Sequence, residues 1–124
     1  MAYFDSVAPC FSVDDVGRTM HWYEQHLGFT SDPFPQHEPF LFCILRRDDI
    51  EIMLQRIEGF QKPDLYHRRS GSVWNAYLRM RGVMDFFESV RDKVDIVHPL
   101  HQLPYGRWEF EVKDPDGYVL VFSE

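Results

Sequence analysis

Cysteine occurs only twice in the 124 residues, and no long hydrophobic run is present. Cys10 and Cys43 lie in different segments without a C-x-x-C spacing, so we expect two reduced, half-buried thiols in a cytoplasmic protein. No stretch approaches the roughly 18 apolar residues of a membrane span, and the N-terminal residues lack the features of a signal peptide. We therefore expect no membrane partner.

Basic residues are fewer than acidic ones, 13 against 20, which gives a formal net charge of −7. An acidic surface repels phosphate, so we expect no nucleic-acid partner. Glycine-rich phosphate loops are also absent from the sequence. Aromatic residues are abundant at 16%. They suggest a pocket for a small molecule, although core packing explains the excess nearly as well.

One pattern of a strand followed by a helix occurs twice in the chain. Apolar residues at helical spacing predict a helix over residues 16–27, which Gly28 ends, and a second helix over residues 83–94. Alternating strands precede them at residues 8–13 and 75–80. The two helical patterns begin sixty-seven residues apart. This spacing indicates an internal repeat.

A short strand and a hairpin follow each predicted helix. The predicted strands are 29–34, 40–46 and 51–57 in the first half, and 95–98, 107–113 and 118–123 in the second. The second hairpin turns at Asp114-Pro115-Asp116-Gly117, where glycine supplies a positive φ. The hairpins align one residue out of register with the helices, which indicates a one-residue insertion or deletion.

The predicted fold is therefore α+β, with two tandem βαβββ modules in a single domain of residues 1–124. The first module covers residues 1–57 and the second covers residues 73–124. Residues 58–72 are polar and read as an exposed linker. Each sheet has one face covered by its helix, and two such sheets curling toward each other would enclose a cleft.

Particular motifs carry a resemblance to a known superfamily. They are Val13-Asp14-Asp15-Val16, Trp22-Tyr23 and Leu27-Gly28-Phe29 in the first half, and Trp108-Glu109-Phe110 and Asp114-Pro115-Asp116-Gly117-Tyr118 in the second. With them the whole chain resembles the vicinal oxygen chelate superfamily, which contains glyoxalase I, extradiol dioxygenases, and fosfomycin- and bleomycin-resistance proteins. The resemblance implies that the modules form a curved mixed-sheet cup, completed in a homodimer with two clefts.

The enzymes of this superfamily hold a divalent metal with His, Gln or Glu at four strand positions. Carried over from the resemblance, these positions are Ala8, Met53, Asn75 and Val121. Methyl, thioether and isopropyl groups do not bind such an ion, and the amide offers one neutral oxygen. The sequence therefore predicts no metal and no other cofactor. We interpret His98 and His101 as surface or capping residues, although a two-histidine site that lacks a third ligand is conceivable.

Strand alternation predicts which side chains face away from the helices. The predicted ligand-binding residues are Cys10, Glu51, Met53, Asn75, Tyr77, Arg79, Glu109, Val119 and Val121. Glu111 falls in or near the same cleft. Carboxylates beside aromatic faces suit a partly cationic, aromatic compound. The plainer alternative is an Arg79–Glu109 pair that only neutralises two buried charges.

These features predict a metal-free protein of the bleomycin-resistance type that sequesters a small molecule in a dimer cleft. The alternative is a glyoxalase- or dioxygenase-like enzyme, a lyase or oxidoreductase. Such an enzyme would use a relocated metal site or metal-free acid–base catalysis by Glu109. No catalytic residue is assigned from the sequence.

Overall fold

The computed structural model describes residues 1–69 and 73–124. These residues divide into two compact units, Met1–Phe60 and Gln61–Glu124. Each unit combines one helix with four strands. No helix in this part of the chain is long and apolar enough to cross a membrane.

The first unit is a four-stranded mixed sheet with a helix. Its strands are β1 (Cys10–Val13), β2 (Thr30–Phe34), β3 (Phe42–Arg47) and β4 (Ile50–Arg56), and its helix is α1 (Val16–Leu27). The strand order is β1-β4-β3-β2, in which β1 runs parallel to β4 and the other pairs are antiparallel.

Local sequence determines both ends of α1. The Asp15 side chain accepts the Arg18 N–H at 3.1 Å and so caps the first turn. Gly28 ends the helix with φ 70°, a left-handed conformation that costs a glycine little. Between these ends, the apolar stripe is buried at Val16, Met20, Tyr23 and Leu27.

The second unit repeats this architecture. Its strands are β5 (Ala76–Arg79), β6 (Asp95–Gln102), β7 (Trp108–Lys113) and β8 (Val119–Ser123), and its helix is α2 (Val83–Val90). The order β5-β8-β7-β6 matches that of the first unit, again with one parallel pair.

Strand register confirms the tandem repeat. Cys10 pairs with Met53 in the first unit, and Tyr77 pairs with Val121 in the second. The first members of these pairs are 67 residues apart and the second members are 68 apart. This difference is the one-residue shift that the sequence predicts, so two tandem βαβββ modules are present.

Two predicted boundaries are wrong by four residues, and the others agree to within two. Helix α2 ends at Val90 and not at Val94, because the Lys93 N–H donates to the Val90 carbonyl at 2.8 Å and tightens the last turn. Strand β6 continues past His98 to Gln102. Pro99 is tolerated inside it because β6 is an edge strand with irregular register at this point.

The two thiols also differ from their predicted half-buried state. Cys10 is exposed, whereas Cys43 is fully buried. Burial raises the pKa of the Cys43 thiol to about 11. Cys43 is therefore a protonated core residue at neutral pH.

Candidate functional site

The sheet of the second unit has one face packed with aromatic rings next to α2. Phe110 in β7 packs against Phe87 and Phe122, with ring centroids 5.1 Å apart in both pairs. Strand alternation turns the neighbours of Phe110, Glu109 and Glu111, to the opposite face. This is the face that the sequence pattern predicts for them. Both carboxylates are nevertheless buried, with 3% and 2% of their surface exposed.

A cavity of about 570 Å³ lies in the second unit beside these carboxylates. It is lined by Arg69, Val73, Trp74, His98, His101, Leu103, Glu109 and Glu111. Trp74 is exposed and lies close to Tyr77, with ring centroids 5.5 Å apart. The cavity thus combines aromatic, apolar and ionisable walls, as small-molecule sites generally do.

Glu109 is held by a chain of polar groups behind the cavity. The Tyr77 hydroxyl donates to Oε2 of Glu109 and lies 2.9 Å from Oγ of Ser123. Nε of Arg107 donates to the same Oγ at 3.0 Å. Because the single phenol proton goes to the carboxylate, the serine hydroxyl donates to the Tyr77 oxygen. Each donor in the chain therefore points toward the Glu109 carboxylate.

The second carboxylate oxygen of Glu109, Oε1, remains available to a ligand. Within residues 1–69 and 73–124, no group hydrogen-bonds Oε1 and no cation forms an ion pair with Glu109. The predicted alternative of an Arg79–Glu109 pair is therefore wrong. Arg79 is exposed and its guanidinium carbon lies 5.4 Å from the centroid of the Tyr77 ring.

Glu111 is contacted by the segment that the sequence predicts to be an exposed linker. The Tyr66 hydroxyl donates to Oε1 of Glu111 at 3.1 Å, and Asp64 pairs with Lys113 at 3.3 Å. The Tyr66 N–H and then the Lys113 ammonium lower the pKa of Asp64. Tyr66 and Asp64 thus tie this segment to the strand β7, while seven of the nine residues 61–69 are exposed, as the sequence predicts. Residues 70–72 of the predicted linker lie outside the described residues.

His98 and His101 share a face of β6 although they are three residues apart. The register of β6 shifts between them, so His98 pairs with Glu111 and His101 with Glu109. Their ring centroids are 3.9 Å apart. Sequence reasoning assigned both to the surface, whereas they line the cavity. Pro99 inside a strand was the available signal, since proline in a sheet marks an edge or a bulge.

The other predicted site residues are not among those that line this cavity. The Asn75 side-chain oxygen accepts the Val119 N–H at 2.8 Å, so it extends the sheet. Val119 and Val121 are buried, and neither lines the cavity. Cys10, Glu51 and Met53 belong to the first unit, where Glu51 accepts a 2.7 Å hydrogen bond from Arg46.

The first unit has its own cavity, of about 480 Å³, at the start of α1. Asp14, Asp15, Glu38 and Arg56 are among its lining residues. None of the predicted site residues lines it. Of the residues that the sequence places in or near the cleft, Glu109 and Glu111 line the cavity of the second unit, and Tyr77 hydrogen-bonds Glu109.

Solved structures from several bacteria share this architecture over nearly the whole chain. TioX from Micromonospora sp. ML1 aligns with TM-score 0.77 at 21% identity, over 98% of both chains. A glyoxalase-related enzyme from Clostridium phytofermentans gives TM-score 0.76 at 16% identity, over 99% of this chain and 96% of that one. A bleomycin-binding protein from Streptomyces verticillus, complexed with copper(II)-bleomycin, gives 0.71 at 22%, over 98% and 97%.

The chain has the glyoxalase/bleomycin-resistance fold. No protein-family model matches its sequence, and no curated protein sequence does either. The structural likeness thus confirms the fold that the motifs predict.

The four positions that the resemblance assigns to a metal do not fit an ion here. Met53 and Val121 have no suitable donor atom, and the Asn75 oxygen already accepts a backbone N–H. Ala8, which precedes β1, has only a methyl group. In the part of the chain that the structure describes, no three His, Cys, Asp or Glu side chains are grouped to bind a metal.

Proposed function

We propose that this protein is a metal-free small-molecule-binding protein that takes a partly cationic, aromatic compound in the cavity of the second unit. The observation that carries the proposal is Glu109. Its carboxylate is buried and its Oε2 is bound by a neutral phenol, while Oε1 has no partner among the described residues. A buried charge is stable only when it is paired, and a cationic ligand would complete the pairing.

The composition of the cavity wall supports a cation with an aromatic face. Among the lining residues, Glu109 and Glu111 contribute two negative charges against the one positive charge of Arg69. The exposed indole of Trp74 offers a surface for a flat cation. The negative balance and the ring together favour cations over anions.

Structural neighbours support binding and catalysis alike, since one is a bleomycin-binding protein and another is a glyoxalase-related enzyme. The hydrogen bonds around Glu109 do not support the predicted alternative, acid–base catalysis by this residue. The Tyr77 hydroxyl, itself bonded to Ser123, donates to Oε2 and so favours a carboxylate that stays ionised and accepts hydrogen bonds. Assembly into a homodimer and residence in the cytoplasm remain predictions from the sequence.

Binding of proflavine, a planar aromatic cation, tests the proposal by fluorescence titration. Glu109→Gln keeps the shape and the Tyr77 hydrogen bond but removes the charge, so we expect proflavine affinity to fall about tenfold or more. Glu88→Gln is the matched control, because Glu88 lies exposed on α2 and pairs with Arg91. Equal affinity of the Glu109→Gln and Glu88→Gln proteins would overturn the proposal.

A further inference from the structure

We propose that the cavity selects planar cations that carry several N–H donors, such as amidinium or guanidinium groups, and that His98 and His101 determine this selectivity. The inference rests on the proposed function, because it names the ligand class of the same cavity. It is carried by the hydrogen bonds of the two imidazole rings.

Both rings are anchored through the same nitrogen to one acceptor. Nδ1 of His98 lies 3.1 Å from the Pro99 carbonyl oxygen, and Nδ1 of His101 lies 2.9 Å from it. A carbonyl oxygen only accepts hydrogen bonds, so Nδ1–H is the donor in each ring. In a neutral imidazole the remaining nitrogen, Nε2, then carries a lone pair and accepts. No group in the described part of the chain hydrogen-bonds either Nε2.

The wall formed by β6 and β7 therefore presents acceptors to a ligand. Three atoms can each accept a hydrogen bond from a ligand, because no group in the described part of the chain donates to them: Nε2 of His98, Nε2 of His101 and Oε1 of Glu109. The bulge in β6 sets the two rings beside each other and opposite the carboxylates of β7. The three residues that carry these acceptors line a single cavity.

This acceptor set distinguishes two kinds of cation. An amidinium or guanidinium group offers several N–H donors in one plane, together with a positive charge that Glu109 attracts. A quaternary aromatic cation has the charge but no donor, so it leaves the acceptors unpaired when it displaces water. Sites built to hydrogen-bond a ligand discriminate strongly against analogues that lack the bonding group.

Two bicyclic monocations of similar size test the selectivity by calorimetric titration at pH 7.5. The first is 2-naphthamidine, whose amidinium carries N–H donors, and the second is N-methylquinolinium, which has none. We expect the wild-type protein to bind 2-naphthamidine about tenfold or more tightly than N-methylquinolinium. Equal affinities would overturn the selectivity and leave the proposed cation site standing. Failure of both cations to bind would overturn the proposed function as well.

Substitution of the two histidines tests whether they determine the selectivity. In His98→Phe/His101→Phe the rings remain but the Nε2 acceptors are lost, so the affinity ratio should fall toward one while N-methylquinolinium binding persists. The single substitutions should each give part of this change, and circular dichroism verifies that they fold. His21→Phe is the control, because His21 lies exposed on α1 of the first unit and should keep the wild-type ratio. An unchanged ratio in the folded histidine variants would contradict their role.

Discussion

Glu109 is buried with a phenol as its hydrogen-bond partner, and among the described residues it has no cationic one. A phenol O–H bond to a carboxylate is charge-assisted and short, so it holds the side chain in place without neutralising it. A buried lysine or arginine beside Glu109 would have neutralised the carboxylate and left no negative charge to attract a cationic ligand. The residue thus combines a fixed position with an available negative charge.

Removing the phenol proton should destabilise the fold. In Tyr77→Phe the buried Oε2 of Glu109 loses its donor, and Ser123 loses the acceptor for its hydroxyl proton. We expect the free energy of unfolding to fall by about 1–3 kcal/mol in a urea titration. Tyr105→Phe is the control, since Tyr105 is 72% exposed and should cost almost nothing. Equal stabilities of these two variants would contradict the role of the Tyr77 hydroxyl.

Cys43 makes stability depend on pH in the alkaline range. Burial raises its pKa from the ordinary 9.0 to about 11, so the thiol of the unfolded chain ionises first as pH rises. Its contribution to stability is complete below pH 9.0 and is lost progressively as pH rises toward 11. Urea unfolding at pH 8 and pH 10.5 should show wild type losing stability relative to Cys43→Ala. Cys10→Ala, which keeps the buried thiol, should retain most of this dependence.

At the scale of elements, the two helices begin in different ways. Helix α1 is capped by Asp15, its own preceding residue. Helix α2 follows Gly82, which has no side chain to cap it, and Oε1 of Glu124 accepts the N–H groups of Gly82 and Val83, each at 3.0 Å. The carboxylate both satisfies these donors and complements the positive end of the helix.

Glu124→Ala should therefore weaken the second unit. The loss of a cap costs about 0.5–2 kcal/mol, and we expect a decrease in this range in the free energy of unfolding. Glu124→Gln keeps an oxygen acceptor and should recover most of the loss. The stabilities of both variants can be measured by urea denaturation. An alanine variant as stable as wild type would show that solvent satisfies the two N–H groups equally well.

This contrast explains which elements the sequence predicts well. The capping residue and apolar stripe of α1 are adjacent in the chain, so a local pattern is enough. The cap of α2 comes from a residue more than forty positions away, and the bulge in β6 depends on pairing with β7. The spacing of apolar residues carries no information about these long-range contacts. For this reason the sequence does not predict the end of β6 or the position of His101 in the cavity wall.

At the scale of the whole molecule, the repeat conserves architecture and diverges in chemistry. Strand register makes Phe42 and Ile44 of β3 the counterparts of Glu109 and Glu111 in β7. The fold was predictable because repetition concerns apolar periodicity, which both halves keep. The site was less predictable because it arises where the halves differ.

The same divergence affects the strand beside β7. Asp32 and Phe34 are two residues apart in β2, whereas their counterparts in β6, His98 and His101, are three apart. The additional residue of the bulge places both histidines next to the carboxylates. The cavity of the second unit is thus lined by residues at which the two halves differ.

Divergence of the halves predicts the stoichiometry of binding. The carboxylate pair on the third strand of the unit occurs in the second unit and not in the first, where Phe42 and Ile44 occupy the equivalent positions. Among the described residues, the acidic residues of the first-unit cavity have no such pair of histidines beside them. Calorimetry with 2-naphthamidine should therefore give one site per chain, whatever the number of chains in the assembly. In Glu109→Gln/Glu111→Gln that single site should be lost, whereas Glu88→Gln should retain it. Two equivalent sites per chain would mean that binding follows the repeated architecture, and that the acidic pair does not determine it.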